Sequence, residues 1–211
     1  DIDITAVPME VGPTTHYIMG GIRVDGDTQM SNVPGLFAAG ECACVSLNGA
    51  NRLGSNSLVE LLVFGKSAAL SAIEHLRGVP AANTTALEAR ANESQARIRE
   101  LFSRTDGTES MSGLRKEMMD TMEKNVGIYR TEAGLTEAVD KITELRQRYR
   151  HVVLNDKSNV FNTDLFQVLE LGCMLDCASA LTVGALARKE SRGAHQRLDF
   201  TERDDDKYLR H

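Results

Sequence analysis

PGLFAAGECACVSLNGANRLGSNSLVELLVFG, residues 34–65, changes chemical character twice in one run. Leu36-Phe37-Ala38-Ala39 is a short apolar segment that stops at Gly40-Glu41 and reads as a buried strand. A loop rich in Gly, Asn and Ser follows and holds a single cation, Arg52. From Ser57 the apolar spacing Leu58, Leu61, Leu62, Gly65, Ala69, Ala72, Ile73, Leu76 is helical, with Asn56 or Ser57 as the cap and Gly78 as the stop. A buried strand, an acidic turn and a helix N-terminus aimed at something polar describe a nucleotide-cofactor pocket.

Upstream, Ile22–Val24 reads as a strand and Asp25-Gly26-Asp27 as a turn. Downstream, the segment 78–83 is a linker by composition, and charged, Met-bearing helices follow it. Thr85 with Glu88 forms a capping box ahead of the stripe Leu87, Ala91, Ile98, Leu101, Phe102. Leu114, Met118, Met122 and Val126 make a second stripe. Leu135, Val139, Ile142 and Leu145 make a third, with Glu137 placed to pair with Lys141. A fourth helix is expected from Thr163 to about Ala187, entered through Asn162. The stretch 188–211 is polar and reads as a loop. The expected division is therefore a cofactor-binding portion over 1–80, a helical bundle over 81–187 and the start of a further region over 188–211.

With 211 residues the chain can bury a sizeable core, and 42% hydrophobic against 26% charged residues is ordinary for a globular protein. A net charge of −6 without basic runs argues against nucleic acid as a partner. Charged residues interrupt each apolar stretch, so none is expected to span a membrane. Cys42, Cys44, Cys173 and Cys177 read as reduced core thiols. Their spacings of one and three residues suit neither a four-thiolate metal site nor an iron–sulfur run, so no metal ligands are assigned.

Arg52 lies among Asn51, Gly54, Ser55 and Asn56, where small residues let a ligand approach. Its guanidinium suits bidentate capture of a carboxylate, or it ties the loop to a neighbouring acid. His16, beside Tyr17 and the Gly20-Gly21 pair, is either structural or a hydrogen-bond partner for an anionic substrate. Glu41 can accept from ribose hydroxyls, or act as a cap or salt-bridge partner. Ser57 and Leu58 open the helix, so their N–H groups are expected to lack intrahelical acceptors. Arg192, His195 and Arg197 either bind an anion or brace a loop against another domain, and Asp204-Asp205-Asp206 reads as a solvated acidic face.

The runs HYIMGGI, LFAAGE, NGANRLGSNSL, GIYRT, FNTDL and ARKESRGAHQRLDFTERDD, in that order along nearly the whole chain, resemble the flavoprotein subunit of succinate dehydrogenase and fumarate reductase. GSNSL and AHQRLD are closer to the fumarate reductase type. The resemblance implies an α+β chain: the C-terminal part of a glutathione-reductase-like FAD-binding α/β domain with the end of the capping domain, followed by a helical bundle. It implies FAD as cofactor and hydride transfer between succinate and fumarate. His16 and Arg52 match the catalytic, substrate-carboxylate ligands, and Glu41, Ser57 and Leu58 match FAD contacts. Through a helix-start dipole those last two would stabilise negative charge on reduced flavin. An iron–sulfur subunit, membrane anchors reached indirectly, and the cytoplasmic face of the inner membrane are implied as well. The family's proton-shuttling Arg, flavin-linking His and glycine-rich phosphate turn are expected upstream of Asp1, so the 211 residues alone are expected to be inactive. L-Aspartate oxidase is the nearest rival, and a non-catalytic helical docking module is a rival of another class.

Overall fold

The computed structural model describes residues 2–10, 12 and 15–209; Pro13 and Thr14, which precede His16 in the sequence, lie outside them. In chain order the regular elements are β1 (Ile22–Arg23), β2 (Ala43–Cys44), α1 (Asn56–Gly78), α2 (Thr84–Ser103), α3 (Met111–Val126), β3 (Tyr129–Arg130), α4 (Glu132–Arg148), a 3-10 turn (Tyr149–His151), α5 (Thr163–Ala187), β4 (Gln196–Arg197) and α6 (Asp205–Tyr208). The chain is a mixture of helix and sheet in which helix dominates.

The core sits between α3, α4 and α5. Asn162 caps α5 by accepting from the Leu165 N–H at 2.7 Å. Along that helix Val168, Leu171, Leu175, Ala178, Thr182 and Ala185 are buried. Their spacing of three and four residues turns one stripe inward. Leu114, Met118 and Val126 of α3 and Leu135, Ala138, Ile142 and Leu145 of α4 face it. Each fully enclosed leucine contributes about 1.5–3 kcal/mol relative to exposure. At the rim, Arg148 grips Glu109 through contacts of 2.8 and 2.9 Å and also reaches Glu117 and Glu144. Hydrogen bonds from Arg148 first and Lys141 second hold the Glu117 carboxyl down at about 2.

Several sequence expectations need correction here. Helix α2 is capped by Asn83, whose side chain accepts from the Ala86 N–H, and not by Thr85. None of its residues is buried; only Leu101 and Phe102 touch the bundle core. Glu137 pairs across helices with Lys124, while Lys141 is taken by Glu117 and Glu144. The segment 188–209 is not a free loop. Its strand β4 pairs in parallel with β3, and a short helix, α6, follows. None of the four cysteines belongs to the core: Cys42, Cys173 and Cys177 are exposed and Cys44 is half-buried.

In the N-terminal part β1 and β2 are parallel, with Ile22 opposite Ala43 and Arg23 opposite Cys44. Leu36–Ala39 is not a buried strand. Phe37 makes a single bridge to Met30, Leu36 is exposed, and only Ala38 is fully covered. Helix α1 starts at Asn56 and exposes Leu58, Leu61, Leu62, Leu70, Ile73 and Leu76. Both α1 and α5 are long and apolar enough to cross a membrane by length and composition, contrary to the sequence expectation. For α5 the buried stripe gives the reason, since a bundle-core helix passes the same test. Helix α1 has no such cover: Glu60 is its one buried residue.

Candidate functional site

The loop carrying Arg52 is held from two sides. On the first side, the chain from Tyr17 to Val24 runs beside residues 41–44. The Ile18 N–H donates to Glu41 Oε1 at 3.0 Å, and the Ile22 N–H to the Cys42 carbonyl at 2.9 Å. Gly21, at φ 114°, lies so close to the Cys42 carbonyl that a Cβ there would overlap it. On the second side, Ala194 donates its N–H to the Ala50 carbonyl at 3.0 Å. A Cβ on Gly193, at φ 56°, would stand 2.8 Å from that same carbonyl group.

Within the loop, the Arg52 guanidinium lies 4.6 Å from the centroid of the Tyr17 ring, a cation–π contact. Its Nη1 donates to the Leu53 carbonyl at 3.2 Å. Its Nε is buried and has no hydrogen-bond partner among the described residues. Such an orphan donor costs about 1–3 kcal/mol unless an acceptor arrives. Arg52 has no ion-pair partner among the described residues. The guanidinium is thus free to take an anion, not committed to a neighbouring acid.

His16 is exposed and adjoins Tyr17, so its segment borders Arg52 through the Tyr17 ring. Glu41 is exposed, and one carboxylate oxygen is engaged by Ile18. The start of α1 departs from the simple expectation. Ser55 occupies the cap position in left-handed conformation, φ 64°, and its side chain makes no capping bond. The Leu58 N–H donates to the Ser55 carbonyl at 3.2 Å, so it is not unpaired; the Ser57 N–H has no partner among the described residues. A strained, uncapped helix start with an open N–H fits an incoming acceptor oxygen.

The tail cluster forms ion pairs within the chain. Arg197 is fully buried and makes a fork with Asp199 at 2.7 and 3.0 Å. That pairing, above all, holds the Asp199 carboxyl at about 2. Glu190 is enclosed between Arg188 and Arg192 and is likewise held at about 2, Arg192 acting most strongly. His195 Nδ1 faces Arg130 Nη1 at 2.8 Å, and its Nε2 faces the Arg188 carbonyl at 3.0 Å. Arginine can only donate, so Nδ1 accepts, Nε2–H donates and the ring is neutral. Burial pushes its pKa down. Of the two sequence readings for Arg192, His195 and Arg197, bracing is the one seen, although the braced partners are the bundle and the Ala50 loop. Sequence reading also missed Tyr17, Glu60 and Gly193-Ala194. The one available signal was an isolated acid, Glu60, inside the apolar run Leu58–Val63.

A cation-bearing loop thus lies between a short parallel pair and an uncapped helix, in a chain that continues into a helical bundle. The family profile described as "FAD binding domain" matches residues 1–58, and "Fumarate reductase flavoprotein C-term" matches residues 115–211. The chain is 49% identical over 204 residues to the fumarate reductase flavoprotein subunit of Haemophilus influenzae, covering 97% of this chain and 34% of that protein. It is 42% identical to the succinate dehydrogenase flavoprotein subunit of Rickettsia bellii, over all of this chain and 36% of the relative. A solved structure of a mutant Escherichia coli quinol fumarate reductase superposes with a TM-score of 0.94 at 47% identity, over 99% of this chain and 36% of that one. The chain belongs to the succinate dehydrogenase/fumarate reductase flavoprotein family. It spans about a third of the length of the curated relatives it matches.

Proposed function

We propose that this chain is the substrate-gripping and bundle portion of a flavoprotein subunit that interconverts succinate and fumarate. The observation that carries this reading is Arg52: a guanidinium propped on Tyr17, without an acidic partner among the described residues, its buried Nε awaiting an acceptor. With His16 on the adjoining segment, it would clamp the carboxylates of a small diacid and fix the carbon skeleton, so that positioning lowers the barrier. Restraint of both carboxylates would also favour a twisted, polarised double bond over the planar ground state.

FAD fits the remaining features. The open N–H of Ser57 and the positive end of α1 suit a ring carbonyl that gains negative charge, and Leu58 lines the same turn. Glu41 keeps a second oxygen for a ribose hydroxyl beside the one bound by Ile18. When bound, the flavin would supply hydride exchange with a substrate carbon. The acid/base group that moves the proton would come from residues outside these 211, so the chain alone is read as inactive.

The bundle, taken as residues 81–187, and the surfaces near it would help hold an iron–sulfur subunit that receives the electrons. Membrane anchors would be reached through that partner, at the cytoplasmic face of the inner membrane. The portion 1–80 would complete a cofactor domain, which gives the apolar face of α1 a natural cover.

The test uses the full-length, flavin-loaded protein. Arg52→Ala should lower fumarate reduction by orders of magnitude while flavin content is kept. Near-normal turnover in that variant would end the assignment.

A further inference from the structure

Glu60 has no part in the reading above, yet it is the most oddly placed charge in the chain. It sits in the first turns of α1, in the run Leu58-Val59-Glu60-Leu61-Leu62-Val63. Its polarity is inverted: Val59 and Leu61 are 58% and 51% exposed, whereas Glu60 is 3% exposed. Burying a carboxylate is costly unless hydrogen bonds replace its water. Here Oε2 accepts from the Tyr17 hydroxyl at 3.1 Å and from Asn48 Nδ2 at 3.0 Å. No cationic side chain forms an ion pair with it among the described residues, so these two donors are its chief solvation.

Both donors belong to the frame of Arg52. Tyr17 is the ring against which the guanidinium stacks, and Asn48 stands in the same loop four residues before Arg52. A phenol that donates to a carboxylate carries more electron density on its ring face, which strengthens attraction of a cation above it. We propose that Glu60 is a positioning residue for Arg52: its buried carboxylate locks Tyr17 and Asn48, and the locked ring holds the guanidinium in the attitude that grips a substrate carboxylate. The inference rests on the reading of Arg52 as a carboxylate ligand. Burial and the Glu60 hydrogen bond raise the Tyr17 pKa, so the phenol remains a donor across the working pH range.

The test measures malonate binding per mole of bound flavin in the full-length holoenzyme, together with KM and kcat for fumarate. Glu60→Gln keeps shape but removes charge, and Tyr17→Phe keeps the ring but removes the donor. Each should weaken malonate binding about 5–20-fold and raise KM more than it lowers kcat. The double variant should be no weaker than the weaker single variant, as for residues acting in one chain of contacts. A purely structural role would instead lower thermal stability and flavin content while leaving affinity per flavin unchanged, and that result overturns the proposal. Should Glu60→Gln not retain flavin, Tyr17→Leu decides. Weaker malonate binding in it upholds the proposal, and unchanged binding overturns it. Loss of flavin in all three variants would assign Glu60 to folding and overturn the proposal as well. Arg52→Ala separates the two levels. If it binds malonate normally, the reading beneath the inference fails; if it alone loses malonate, only the inference fails.

Discussion

Ala194 donates its backbone N–H to the Ala50 carbonyl at 3.0 Å, so a turn more than 140 residues downstream anchors the loop that carries Arg52. Gly193 makes that approach feasible, because its φ of 56° and its distance from Ala50 leave no room for a side chain. Gly193→Ala should cost about 1–2 kcal/mol from the left-handed backbone alone, and more from overlap with Ala50. Thermal unfolding should show a lower midpoint. An unchanged midpoint would mean that the two segments do not touch in solution.

Arg197 tests the tail as a structural brace. It is fully enclosed, forked onto Asp199, and also faces the carbonyls of Ala185 and Arg188. Arg197→Met keeps most of the volume but leaves Asp199 without its counter-charge. Removing one partner of a buried pair typically costs about 3–5 kcal/mol, and the lower end applies because Asp199 is 30% exposed. Urea denaturation should detect that loss directly. A variant as stable as the parent would show that solvent replaces the fork without cost.

Acid should loosen the tail and the bundle rim over a definite window. The carboxyls of Glu117, Glu190 and Asp199 are all held at about 2, below the usual 3.8–4.5. A depressed folded-state pKa contributes stability that is present above the unfolded value and is lost as pH falls toward the folded value. Stability should therefore decline from about pH 4.5 down to about pH 2. His195 adds a slope at higher pH, since burial pushes its folded pKa below the ordinary histidine value of about 6.5. Protons bind the unfolded chain first, so stability should begin to fall as pH drops through that value. His195→Gln should flatten the upper part of the curve and leave the lower part in place.

How much of this was legible depends on where the deciding contacts lie. Helix α5 was readable to its ends because a side-chain cap and a long apolar run are local signals, and Asn162 supplies the cap as expected. Leu36–Ala39 misled because a strand is defined by its neighbours, and Phe37 has one bridge. At α2 two local signals competed, and Asn83 took the cap that Thr85 with Glu88 also advertises. Lys141 was read along its own helix, but Glu117 across the bundle lies within reach as well. For the site, Arg52 and its loop were visible as composition. Glu60 shows locally only as a lone acid in an apolar run, and that it turns inward is settled by Tyr17 and Asn48, which lie far from it in sequence or in another loop.

Stability should be unequal along the 211-residue chain. Burial concentrates in α4 and α5, while α2 buries nothing and α1 buries only Glu60. Without tertiary packing, a helix depends on propensity and caps, whereas most helical stability in proteins comes from packing of an apolar face. Amides of Val168–Thr182 should then exchange only through global opening, at rates at least about a hundredfold slower than those of Leu87–Ile98. Hydrogen exchange read by mass spectrometry resolves the two segments. The N-terminal helix sharpens the comparison, since its apolar side chains are mostly solvent-facing and its amides should exchange with those of α2. Equal protection of α1 and α5 would mean that something covers the leucine face of α1 in solution. Sedimentation at two concentrations would then show whether a second copy of the chain provides that cover.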